Sequence, residues 1–298
     1  MQKTINSLKQ KIKHNNFLFS LFYIPIQTRK HILKIYQNYR SKYYCDIISR
    51  FEYGYVSLFV NEFNGSFEFD IRSDILKRII ISKEYEREIV ELIKLVLNTK
   101  KDVIDIGANI GLFSVYFAKN ISNNSKVLSI EPTPRAIELL KRNLQTNQVD
   151  NSVILFNGVA TNLKGTFKIK TIPGREEYST LGSNIHQNRH HGTTHQEITV
   201  EGDTIDNLVN RFGLNPGFIK IDTEGAEYLV LQGAEITLRK YHPVLLMELM
   251  DDYLVNFGYS AKQVSDFLEL FGYKITDIST GQEPMYPFNG SILALATQ

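Results

Sequence analysis

"VIDIGANIGLFSVYFAKN" (Val103–Asn120) changes character at its glycines. The first residues read as a buried strand, and the residues after Gly107 take helical spacing. Gly107 and Gly111 bracket the turn between them, where backbone can approach a ligand closely and helix N–H groups face it. The same alternation continues outward. "EYEREIVELIKLVLN" (84–98) precedes the stretch with helical spacing. After it come "KVLSIE" (126–131), "AIELLKRNLQTN" (136–147) and "SVILFN" (152–157), which read as strand, helix, strand. This spacing predicts βαβ units, a parallel sheet and right-handed crossovers.

The repeat breaks between Gly158 and Thr204. "GTFKIK" and "EITVEG" read as short strands flanking a long polar loop, Pro173–His195, a length that points to a functional segment. The pattern then resumes. "DTIDNLVNRF" reads as a helix capped by Asp203, "GFIKID" as a strand, "EYLVLQGAEITLRK" as a helix and "PVLLMEL" as a strand. "AKQVSDFLELFG" is a helix, and "YKITDI" and "SILALA" are closing strands joined by a loop. The fold class is therefore α/β: a seven-stranded, mostly parallel Rossmann-like sheet with helices on both faces and an antiparallel member expected at its edge. "VSLFVNEFNGSFEFDI" (56–71) alternates on both sides of Asn64-Gly65 and predicts a β-hairpin. Three units follow: a basic helical arm over 1–50, the hairpin and connector over 51–80, and the main domain over 81–298.

The chain of 298 residues is 43% hydrophobic and 22% charged, ordinary for a globular protein. Its single cysteine, Cys45, excludes an internal disulfide and a cysteine-based zinc site, and makes a reducing, cytoplasmic setting the simple expectation. Residues 1–50 hold ten Lys or Arg and one acid, a net +9; the rest carries 24 bases and 31 acids, a net −7. A basic arm on a mildly acidic domain gives little support for nucleic acid as partner. "FLFSLFYIPI" (17–26) is about half the length needed to span a bilayer, so the arm reads as amphipathic, docking on a membrane surface, on a partner, or on the domain itself.

The chemistry concentrates at strand ends. The dinucleotide fingerprint G-x-G-x-x-G is not met between Gly107 and Gly111. Asp105, just before the turn, would repel a pyrophosphate and suit an ammonium group, which favours S-adenosylmethionine over a nicotinamide cofactor. Glu131 ends the second strand, where an acid can accept hydrogen bonds from ribose hydroxyls. Pro132 follows it, and Asn157 ends the third strand, placed either to contact adenine or to cap a turn. "FIKIDTEGAE" (218–227) ends the fourth strand in three acids, Asp222, Glu224 and Glu227; Glu227 suits the N-terminus of the next helix. Asp222 and Glu224 suit a cation, hydroxyls or proton removal. Glu248 closes the fifth strand. His186, His190, His191 and His195 lie in the long loop, where a second base, a weak metal site or a solvated loop all fit; His242 reads as structural.

"DVIDIGANIGLFSVYFAK", "SIEPTPRAIELLKRNL", "DTIDNL" and "FIKIDTEGAEYLVLQGAEITLRKYHPVLLMEL" together resemble the FkbM-type S-adenosylmethionine-dependent methyltransferases, over roughly Tyr85–Leu249. The resemblance implies the class I methyltransferase sheet and O-methylation, often of sugar or polyketide hydroxyls. By position the resemblance implies Asp105, Gly107, Asn109, Gly111 and Glu131 as cofactor contacts, and the full candidate cofactor-binding set is Glu86, Asp105, Gly107, Ala108, Asn109, Gly111, Phe113, Glu131, Pro132, Asn157 and Asp222. The catalytic candidates are Asp222, Glu224 and His191, with a divalent metal as an open alternative to a general base. A hydroxylated small molecule or glycan is the expected acceptor. The rivals are a partner-dependent module that keeps the fold without catalysis, and an enzyme methylating nucleic acid bases. The latter often shows Asn/Asp-Pro-Pro-aromatic where this chain reads Asp222-Thr223-Glu224-Gly225.

Overall fold

The computed structural model describes residues 34–35, 37–44, 46, 53–182 and 195–297. Residues 34–35, 37–44 and 46 are helical, in keeping with a helical arm; Phe17–Ile26 and the rest of the arm lie outside the described residues. The hairpin forms as expected, with β1 (Tyr55–Val60) antiparallel to β2 (Gly65–Asp70) and Asn64 in the left-handed region at φ 46°. Next come α1 (Asp74–Ser82), α2 (Arg87–Val96), β3 (Asp102–Ile106), α3 (Leu112–Asn120), β4 (Val127–Ile130), α4 (Pro134–Thr146) and β5 (Val153–Phe156). A three-stranded excursion follows: β6 (Gly158–Ala160), β7 (Gly165–Thr171) and β8 (Gln196–Asp203). The chain closes with α5 (Ile205–Phe212), β9 (Pro216–Ile221), α6 (Glu227–Gln232), α7 (Glu235–Tyr241), β10 (Val244–Met250), α8 (Asp251–Leu254), α9 (Ala261–Leu270), β11 (Tyr273–Asp277) and β12 (Asn289–Ala296).

The main sheet runs β11-β12-β10-β9-β3-β4-β5. The five strands from β10 to β5 are mutually parallel, and β12 is antiparallel to both its neighbours. The antiparallel strand thus lies one place in from the edge, where an edge position was expected. The crossover through α9 sets β11 down two strand positions beyond β10. The loop from β11 then returns β12 into the gap, where Ile292, Leu293 and Ala294 are buried. A run as apolar as "SILALA" belongs in such a covered position.

Side-chain alternation along the strands divides the core between the two faces of the sheet. Ile104, Ile106, Ile219, Ile221, Leu245 and Met247 pack with α5, α6, α7 and α9 on one face. Val103, Phe218 and Leu246 face the other, with α2, α3, α4 and the aromatic residues Phe63, Phe67 and Phe69 of the hairpin. The hairpin is also tied to α4 by polar groups. Asn143 Oδ1 accepts from Glu68 N–H (2.7 Å), and Asn147 bonds both backbone groups of Ser66.

Two local expectations change. Thr204, not Asp203, caps α5: its hydroxyl accepts from Asn207 N–H (3.1 Å), while Asp203 Oδ1 takes the Asn207 side-chain amide (2.7 Å). Asp203 is still the last residue of β8, so the strand's hydrogen bonding claims it. The helix expected over 227–240 is two helices broken at Gly233, where an added Cβ would lie 2.1 Å from the Thr161 carbonyl oxygen. The backbones come too close there for a side chain.

Candidate active site

The carboxyl ends of β3, β4, β9 and β10 open into one cavity of about 250 Å³, close to the lower end of small-molecule sites, about 300–1,000 Å³. Gly107 is indispensable to its floor: φ is +77°, and a Cβ there would lie 1.8 Å from the Asp222 carbonyl oxygen. The turn after β3 and the loop after β9 can touch only through a glycine.

Gly107, Ala108, Asn109, Phe113, Glu131, Pro132, Glu86, Asp222 and Glu224 all line the cavity, as the sequence reading expected of a common site. Three other members of the expected set do not. Asp105 is fully buried and faces α3, where Ser114 Oγ donates to its Oδ2 (2.6 Å). Strand alternation turns it toward the helix, so direct contact with a cofactor ammonium is not its place. Gly111 begins α3 at φ +89° with its open side against Leu140, serving the packing of α3 on α4. Asn157 is exposed and away from the cavity, because the chain turns at once into β6. His191 lies outside the described residues; His195 is exposed ahead of β8, and His242 ends α7 in the left-handed region.

Glu131 is buried and already braced. Its Oε2 accepts from Asn109 N–H (2.9 Å), and Oε1 accepts from Thr133 N–H (2.9 Å) and hydroxyl (2.7 Å). Burial nevertheless pushes it up to about 7, since these bonds only partly offset desolvation. Glu227 is also buried and organises the loop from below: its Oε1 accepts from Thr223 N–H and hydroxyl and from Gly225 N–H (2.9–3.1 Å). It stands at the start of α6 as expected, leaving Asp222 and Glu224 to face the cavity.

Lys220 is a site residue that the sequence reading missed. It lines the cavity and donates to Asp222 Oδ2 (2.9 Å). The signal was period two: Lys220 shares a face with Phe218, opposite Asp105 on β3 and Leu246 on β10. Glu248, two residues past Leu246, joins them and lines the cavity. Burial, then the charges of Asp222 and Glu224, push Glu248 up to about 9. The first part of the long loop also borders the site. Glu177 Oε1 accepts from Asp74 N–H (2.6 Å) at the N-terminus of α1, seating Tyr178 and Thr180 on the cavity wall.

The lining suits a cationic cofactor. Eight carboxylic residues (Asp74, Glu86, Glu131, Glu176, Glu177, Asp222, Glu224 and Glu248) face two bases, Arg78 and Lys220. A dinucleotide pyrophosphate would be repelled here; a sulfonium and an ammonium would be drawn in.

The model of the methyltransferase FkbM domain matches residues 105–275, more than half of the chain. The chain belongs to the FkbM methyltransferase family. S-adenosylmethionine is the methyl donor of FkbM methyltransferases, and the cavity lining fits it. A second model, for protein-L-isoaspartate(D-aspartate) O-methyltransferases, matches residues 28–162, a span that contains the glycine turn and Glu131 but stops short of Asp222. Methyltransferase sdnD of Sordaria araneosa is 27% identical over 158 residues, covering 45% of this FkbM-family chain and 60% of that protein; the chain thus spans less than two thirds of this curated relative. The crystal structure of a methyltransferase FkbM from Methylobacillus flagellatus matches at 17% identity and a TM-score of 0.44, covering 67% of this chain and 44% of that one. The O-methyltransferase TomG of Streptomyces achromogenes, solved with S-adenosylmethionine, matches at 16% identity and a TM-score of 0.39, covering 70% and 77%.

Proposed function

We propose that this protein is an O-methyltransferase acting on a hydroxyl of a neutral, polyhydroxylated acceptor of the sugar or glycan class. The observation that carries the reading is that Asp222 and Glu224 share one cavity with the glycine turn and Glu131. Acids able to take a hydroxyl proton therefore border the place where the methyl donor fits. An anionic acceptor is disfavoured by the excess of carboxylates, whereas hydroxyl groups find acceptors throughout the wall.

When bound, S-adenosylmethionine supplies a methyl carbon made electrophilic by the sulfonium, and the displaced sulfur keeps the bonding electron pair as a neutral thioether. The chain's own residues align and deprotonate. The backbone of Gly107–Asn109 and the carboxylate of Glu131 hold the nucleoside end. Asp222 or Glu224 would accept the acceptor's hydroxyl proton and hold that oxygen toward the place of the methyl donor. Glu248 is the poorer base at neutral pH because burial and its acidic neighbours keep it protonated. His191 remains a second candidate base on the sequence alone.

No helix among the described residues is long and apolar enough to cross a membrane. The basic, apolar arm supports a lipid-linked or membrane-proximal acceptor, and liposome co-sedimentation that survives deletion of residues 1–50 would count against that part of the reading.

The decisive experiment is calorimetric titration with S-adenosylmethionine and NADH on wild type and Glu131→Ala, followed by labelled-methyl transfer to a panel of sugars with amine controls. The expected result is saturable binding of S-adenosylmethionine alone, lost in the variant, and label on hydroxylated acceptors. Full turnover by Asp222→Asn and by Glu224→Gln, with cofactor bound, would remove the base assignment.

A further inference from the structure

Among the described residues, Lys220 is the only buried lysine or arginine. A buried ammonium must be matched by opposite charge, and here the match is specific. Nζ lies 2.9 Å from Asp222 Oδ2 and 4.8 Å from the centre of the Phe113 ring on α3. Asp105 stands opposite on β3, and Glu248 approaches from β10. From α1, Arg78 adds a second positive charge close enough to feel Glu248; Tyr85 and Glu86 complete the titratable wall.

Asp222, Glu224 and Glu248 offer carboxylate oxygens within 4.8 Å of one another, a spacing a divalent cation can use. An ion on Asp222 Oδ2, which lies 2.9 Å from Lys220 Nζ, would sit no farther than about 5.5 Å from the ammonium, given carboxylate–metal bonds of up to about 2.6 Å. Two cations so close in a half-buried site repel strongly. The position is already served by a positive charge belonging to the chain.

We propose that Lys220 is the built-in counter-cation of the Asp222–Glu224–Glu248 cluster, a positioning residue that holds Asp222 at the cavity and takes the place of a divalent metal ion. Its consequence, that methyl transfer runs without such an ion, rests on the function proposed above; the counter-cation role itself does not.

The test uses Mn²⁺ as probe, followed by its paramagnetic resonance signal and by calorimetry, on the full-length chain. Wild type and Lys220→Arg are expected to hold no Mn²⁺ at millimolar ion. Lys220→Met is expected to gain at least tenfold in Mn²⁺ affinity, and Lys220→Met with Asp222→Asn to lose that gain. A purely structural lysine would give no such gain. Mn²⁺ bound by wild type and released by Asp222→Asn overturns the proposal, as does a Lys220→Met variant with native circular dichroism and no gain. Should Lys220→Met not fold, the wild-type titration decides by itself: ion bound through Asp222 refutes the proposal and its absence supports it. S-adenosylmethionine titrated in parallel separates the two readings. Wild type that fails to bind it would sink the methyl-transfer reading while the ion result stands.

Discussion

Glu131 braces the turn after β4 and, in the function proposed above, is the acid that would meet the cofactor's ribose. Its ordinary value is 4.5 and burial raises it to about 7 in the fold. Between those values the unfolded chain binds fewer protons than the folded one, so its contribution to the stability of the ligand-free protein falls as pH rises through the interval. Cofactor binding runs the other way, because ribose hydroxyls need the ionised carboxylate. S-adenosylmethionine affinity is expected to rise with pH through about 7 and to fall by up to tenfold per unit below it. Calorimetry between pH 6 and 8 checks this, and Glu131→Gln should flatten the profile. Glu131, Asp222 and Glu224 were legible because strand ends in a parallel sheet converge. Lys220 was not, because its partners on β3 and β10 come from distant segments and are set beside it only by the register of the sheet.

At the scale of elements, the hairpin is held to the domain through Asp70. This buried carboxylate accepts three bonds from Arg72, two from its guanidinium (2.8 and 2.9 Å) and one from its backbone N–H (2.9 Å), and pairs with Arg135 of α4. Burial pushes Asp70 up, but the Arg72 hydrogen bonds and the Arg135 charge outweigh it and hold it below the ordinary 3.8. The stabilisation is therefore fully present above about 3.8 and is lost as pH falls through the lower folded value. Asp70→Asn is expected to cost about 2 kcal/mol at pH 7, the partly exposed arginines moderating the loss. Denaturant unfolding at pH 7 and at about pH 3 should show the difference shrinking in acid. The hairpin was plain in the sequence from its alternation, although its turn spans Asn61–Asn64 and Gly65 opens β2 opposite Val60. Its anchorage was not, since Asp70, Arg72 and Arg135 are joined only when α4 lies across β2.

The whole molecule is a sheet covered on both sides, and β12 holds one end of it together by pairing with β10 and β11 at once. A chain ending at Phe288 would leave the edge of β10 unpaired, detach β11 and remove buried Ile292, Leu293 and Ala294. Such a truncation is expected to abolish cooperative thermal unfolding altogether, a loss beyond the few kcal/mol of a point mutant, as circular dichroism would show. The parallel core was foreseeable from alternating strands and helices; the place of β12 was not. Local pattern specifies that a segment is a strand but leaves open which two neighbours it will join.

The strand–glycine–helix stretch at Val103–Asn120 and the acids closing three later strands were enough to establish the fold class and the edge of the sheet that carries the site. Both follow from short-range rules of period, turn chemistry and strand polarity, which act within one element and its immediate neighbour. Which side chains reach the cavity was settled by packing between distant segments. Pleating turns Asp105 to α3, the chain leaves β5 so sharply that Asn157 faces outward, and Glu177 seats the long loop on α1. Lys220 meets Asp222 because successive outward bends of one strand point the same way, and the pair becomes a charge centre only when β3, β9 and β10 lie side by side. Burial and electrostatic matching depend on three-dimensional neighbours, and a linear chain does not contain them until it folds.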